Sequence, residues 1–185
     1  MTSLTALWLP IFLSAVACFL VSSLIHMFTP WHRAEYPAVP NEEAFRAATR
    51  GLDVPPGDYM IPRTSAAHMN SPEFLAKMNE GPVWILTALR PGPWGMGRNL
   101  ARWFVYLLVI SACAGYVASR ALSVGAPYLT VFRFVGVSAF LGYSAALWQM
   151  WIWYRRALRT TITSSIDGLI YACVTAGVFG WLWPR

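Results

Sequence analysis

Few residues in this chain could do chemistry. It has three histidines, eight acidic residues and three cysteines. His26 and Asp167 stand out because both fall in strongly apolar stretches. An acid inside a membrane-spanning segment is costly and normally has a partner. A histidine changes charge near neutral pH. Together the two would form a proton or ligand site, with Asp167 accepting and His26 titrating. The competing reading is structural: Asp167 caps a helix start or pairs with Arg102, Arg155, Arg156 or Arg159. That reading is favoured, because an acid near a helix N-terminus is stabilising in any case.

Metal ligation is a second chemistry. His26, His32 and His68 are the candidate ligands, with Glu35 beside the first two. His26 and His32 are separated by five residues that include Pro30, which breaks helical geometry between them. A catalytic zinc site needs three protein ligands in fixed geometry. The spacing supplies no standard pair, and no cofactor is predicted.

Two further groups are candidates. Arg102 and Gln149 are expected at the same membrane level as His26 and Asp167, forming a polar cluster near one face. Arg120 and Arg133 fall at the opposite end, with no acid on that side to pair with them. They could hold an anion or a lipid headgroup, or simply reach lipid phosphate by snorkelling. The sequence has no GxSxG, HExxH, GxxxxGK[ST] or GxGxxG motif. The Gly-x-Gly in Arg90–Gly97 is flanked by prolines, has no strand–turn–helix context and reads as a loop. Cys18, Cys113 and Cys173 lie in apolar segments without CxxC spacing and read as small buried residues. Catalysis by a recognised triad has no support, and the chain leans away from being an enzyme.

The elements that must position these residues follow from composition. The chain has 185 residues, 57% hydrophobic and 12% charged, with mean hydropathy +0.47. Globular domains carry about 25% charged residues, so this is the balance of a polytopic membrane protein. Four apolar runs, at residues 4–28, 101–122, 128–153 and 163–183, exceed the ~18 residues that mark a spanning helix. The expected fold is all-α: a single membrane domain of four transmembrane helices, with residues 29–100 as a small cap. Ser111, Gly115 and Ser119 recur every four residues and offer one face for close helix packing.

Within residues 29–100, Asn41 can cap a short helix ending before Gly51. Ser71-Pro72-Glu73 starts a second helix that stops at Gly81. Val83–Leu89 is too short to span. It either pairs with Asp58–Ile61 as a two-stranded hairpin or lies in the bilayer interface, with pairing slightly preferred.

Arginine placement predicts orientation. Arg155, Arg156 and Arg159 follow the aromatic belt Trp148, Trp151, Trp153 and Tyr154, and no acid joins them. The positive-inside rule puts loop 154–162 in the cytoplasm, and alternation puts residues 29–100 there too. Of fourteen Lys and Arg, only Arg120, Arg133 and Arg185 fall outside, leaving eleven inside. Both termini are then outside, in a cell membrane expected to be a bacterial inner membrane. The net charge of +6 is explained by topology, so nucleic acid is not an expected partner.

These observations favour a structural or accessory membrane protein, in a homo-oligomer or with other membrane subunits. A small-solute channel or transporter is the first alternative. A membrane enzyme using His26 and Asp167 is the second.

Overall fold

In a computed structural model that describes residues 2–33, 35–93 and 95–185, four helices are long and apolar enough to cross a membrane: Leu4–Phe28, Met96–Ala121, Tyr128–Ile152 and Leu158–Leu182. The chain divides into two compact units. Met1–Tyr36 and Gly95–Arg185 form the first and carry all four long helices; Pro37–Trp94 forms the second.

The first long helix opens with a 3-10 turn, Leu4–Leu7, capped by the Ser3 hydroxyl, which accepts from the Ala6 amide at 3.2 Å. It continues as α1, Trp8–Phe28. Pro10 sits in the first turn of α1, where an amide donor is not required. Pro30 halts α1, and the Thr29 hydroxyl donates to the Ile25 carbonyl at 2.6 Å, satisfying one terminal acceptor.

In the second unit, α2 (Glu42–Arg50) is capped by Asn41, and α3 (Pro72–Glu80) by Ser71 with proline at its first position. Strands β1 (Gly57–Ile61) and β2 (Trp84–Ala88) pair antiparallel, Gly57 opposite Ala88 and Ile61 opposite Trp84. The Thr87 hydroxyl donates to the Asp58 carboxylate across the ladder at 2.6 Å. The hairpin reading of Val83–Leu89 is therefore the observed one.

The remaining helices are α4 (Met96–Ala121), α5 (Tyr128–Phe140) and α7 (Leu158–Leu182). A π-helical segment, Leu141–Ala145, links α5 to α6 (Leu147–Ile152). Helices α4 and α7 each start five residues before the apolar runs at 101 and 163 do. Hydropathy marks the apolar part of a helix, whereas polar residues such as Arg98 and Arg159 extend it at no cost in water. The break between α6 and α7 falls at Arg155, which has a positive φ of 56°, and Ala157, whose φ of −55° and ψ of 129° are not helical.

Helix α7 packs against α1 and α5, and α4 packs against α1 and α5. Their shared core contains Cys18, Leu107, Val131, Val135, Ala172, Ala176 and Phe179. Ser111, Gly115 and Ser119 all face inward, as their spacing predicts. A Cβ on Gly115 would come within 2.9 Å of the Phe179 ring, so glycine is what lets these helices close. Phe12, Leu20, Val105, Val109, Val137 and Leu169 point outward and are exposed. An apolar outer face around small and hydroxylated inner residues reverses the pattern of a water-soluble bundle and suits contact with lipid tails.

Candidate histidine–carboxylate site

The end of α1 and the middle of α7 meet in a polar cluster. His26 lies in the last turn of α1, and its Nδ1 is 2.9 Å from the Ser22 carbonyl. A carbonyl only accepts, so Nδ1 carries the proton and Nε2 presents a lone pair. His32 lies in the turn that follows, where the Arg33 amide donates to the Pro30 carbonyl. This turn stacks the His32 ring on that of His26, with centroids 4.3 Å apart and planes within 9°. His32 Nδ1 is 3.0 Å from Glu35 Oε1. That oxygen also accepts from the Thr163 hydroxyl of α7 at 2.5 Å. His32 Nε2 is 2.9 Å from Asp167 Oδ2.

The His32–Asp167 contact has the length of an ion pair but not the angle of a ring N–H···O bond, and Nε2 has no hydrogen-bond partner. Asp167 Oδ1 is likewise buried and unpartnered. The side chains of His32, Glu35 and Asp167 are 13%, 10% and 6% exposed, too little for water to satisfy them freely. One ligand atom each from His26, His32 and Asp167 lie within 4.8 Å of one another.

Asp167 does not cap its helix. Helix α7 begins at Leu158, which puts Asp167 about 14 Å along the axis at 1.5 Å per residue. Nor does it pair with Arg102, Arg155, Arg156 or Arg159 among the described residues; the ionisable side chain beside it is His32. Of the eight acidic residues, only Glu35 and Asp167 lie outside Pro37–Trp94, and both are in this cluster. That part of the chain holds nine arginines, yet neither carboxylate is in an arginine ion pair among the described residues.

The other candidate residues lie elsewhere. Arg102 and Gln149 are exposed and make no side-chain hydrogen bond or ion pair to His26 or Asp167 among the described residues. His68 belongs to the second unit, where its Nδ1 is 2.9 Å from the Ser65 hydroxyl. Arg120 lies over the Tyr116 ring at 5.4 Å, and Arg133 is exposed. Neither lines the cleft formed by Gly125–Tyr128, Gly180, Trp181, Trp183 and Arg185 at that end. Sequence reasoning paired His26 with Asp167, and separately grouped Glu35 with His26, His32 and His68 as metal-ligand types, without joining the two groups into one site. Thr163 gave no signal.

The π segment borders this region. Ser144 faces α7, its hydroxyl 3.4 Å from the Ser165 carbonyl. A Cβ on Gly168, next to Asp167, would overlap that hydroxyl. The Gly142 carbonyl accepts from the Tyr106 hydroxyl at 2.8 Å. Single-turn π segments are frequent at functional sites, where they re-aim one stretch of helix against another.

Comparison with known proteins returns no match: no family model fits the chain, and no curated protein or solved structure is significantly similar to it.

Proposed function

We propose that this is an integral membrane protein with a cation-binding reaction centre at one end of its helix bundle. This favours the membrane-enzyme reading, with His26 and Asp167 in the site, over a passive scaffold or a solute channel. The observation that supports it is the convergence of His26, His32 and Asp167 within 4.8 Å, with buried Oδ1 and Nε2 atoms left unpartnered. Such atoms cost free energy unless something satisfies them. A scaffold would gain by replacing them with apolar side chains. A cation held between them would satisfy all three residues at once.

The test is thermal unfolding of the detergent-purified protein, stripped with a chelator and then titrated with a panel of divalent cations. A ligand at one hundred times its Kd stabilises by about 2.7 kcal/mol. That corresponds to a rise in Tm of roughly 5–10 °C for a chain of this size. At least one dication should produce such a rise. A melting curve that no dication moves would reject the proposal.

The proposal includes an orientation. Residues 29–100 and the 154–162 segment face the cytoplasm, and both termini lie outside in a bacterial inner membrane. The concentration of arginines on that side supports this. The reaction centre then sits at the cytoplasmic end of the spans, within reach of water and of lipid headgroups. Association with copies of itself or with other membrane subunits suits the apolar outer face. A cysteine introduced at Arg156 should react with a membrane-impermeant thiol reagent only in inside-out vesicles. Labelling from the other side would invert the assigned topology.

A further inference from the structure

We infer that the occupant of this centre is a first-row transition-metal dication of the zinc type. Its ligands are Nε2 of His26, Nε2 of His32 and the carboxylate of Asp167, and Glu35 is the positioning residue behind His32. The inference rests on the cation-centre reading above and adds the class of the ion and the role of each residue.

Three features carry it. The donor set is two imidazoles and one carboxylate. Imidazole nitrogen favours zinc, iron, cobalt or copper, whereas calcium and magnesium take oxygen ligands. Both rings are also arranged as metal-binding histidines are. His26 Nδ1 is bonded to the Ser22 carbonyl and His32 Nδ1 to Glu35, which leaves Nε2 of each ring without a hydrogen bond, that of His32 lying 2.9 Å from Asp167 Oδ2. Glu35 is itself held by Thr163 on α7, so the outer partner is tied to the helix that carries Asp167.

Charge gives the third feature. When both are ionised, Asp167 and Glu35 supply two negative charges, and they meet no arginine among the described residues. With neutral histidines, one dication balances them. The ligand atoms lie within 4.8 Å of one another and would draw in to the ~3.4 Å that tetrahedral bonds of about 2.0–2.1 Å require when the ion binds. Three protein ligands leave a fourth position for water or substrate, as catalytic zinc sites do. His26 is the exposed member, so the open position lies on its side of the cluster.

The experiment is a titration of the full-length protein in detergent with Co(II), Zn(II), Mg(II) and Ca(II), read by melting temperature and by the Co(II) visible spectrum. Co(II) and Zn(II) should bind at least ~100-fold more tightly than Mg(II) or Ca(II), and Co(II) should develop the intense absorption of a tetrahedral site. Glu35→Gln should weaken Zn(II) binding about 10- to 100-fold, the usual effect of losing an outer partner. Glu35→Asp should recover part of it, and His68→Ala should change nothing. If Mg(II) or Ca(II) binds as tightly as Zn(II), the transition-metal assignment fails while the cation centre stands. If no dication binds, both fail. If Zn(II) binds equally well to wild type and to His32→Ala, the ligand set is wrong. Should His32→Ala not fold, the wild-type Co(II) spectrum decides: an octahedral, weakly absorbing ion contradicts the assignment.

Discussion

At the scale of single residues, the account turns on where protons and lone pairs must be. Ser22 offers His26 a carbonyl and Glu35 offers His32 a carboxylate, so each Nδ1 carries a proton, and His32 places its Nε2 2.9 Å from Asp167. Asp167→Asn keeps the shape and removes the charge. It is expected to abolish dication stabilisation while leaving the chelated protein as stable as wild type, or more so, because a buried carboxylate no longer has to be accommodated. Part of this site was legible in the sequence. Asp167 and His26 were conspicuous as ionisable groups in apolar runs. His32 was discounted because Pro30 breaks the helix, and helical spacing was the only rule available to relate it to His26. The break is what brings the two rings together: the chain turns after Thr29 and stacks His32 on His26. Arg102 and Gln149 were grouped with the site by membrane depth alone, which says nothing about which way a helix faces.

At the scale of elements, the site depends on how closely α7 approaches the segment between α5 and α6. Gly168 allows that approach, because a methyl group there would collide with the Ser144 hydroxyl and crowd Tyr143. Gly168→Ala is expected to destabilise the bundle by about 1–3 kcal/mol, the cost of over-packing a closed interface. Unfolding in mixed detergent measures it. No loss of stability would mean that α7 does not pack against the π segment as described. The four long helices, both short helices and the hairpin could be read from periodicity, caps and turn residues. The π segment could not, since Leu141–Ala145 has the composition of ordinary helix and its geometry answers to the neighbours Tyr106 and Ser165. The start of α7 was also placed late, which is why a helix cap stood among the alternatives for Asp167.

At the scale of the molecule, the two compact units differ in kind. The first buries small and aliphatic residues among its long helices and keeps its two acids for one site. The second, Pro37–Trp94, has no buried residue among those described and holds the other six acids. Composition marks residues 29–100 as the polar stretch between the first two apolar runs, and the second compact unit, Pro37–Trp94, lies within it. The central claim is that the first unit holds a metal between α1, the turn after it and α7. The most direct measurement is elemental analysis with X-ray absorption on the protein purified from membranes without chelator and reloaded with Zn(II). The account predicts one zinc per chain with nitrogen and oxygen neighbours at about 2.0–2.1 Å, imidazole among them. Absence of stoichiometric zinc, or sulfur neighbours at about 2.3 Å that would point to cysteine, would contradict it.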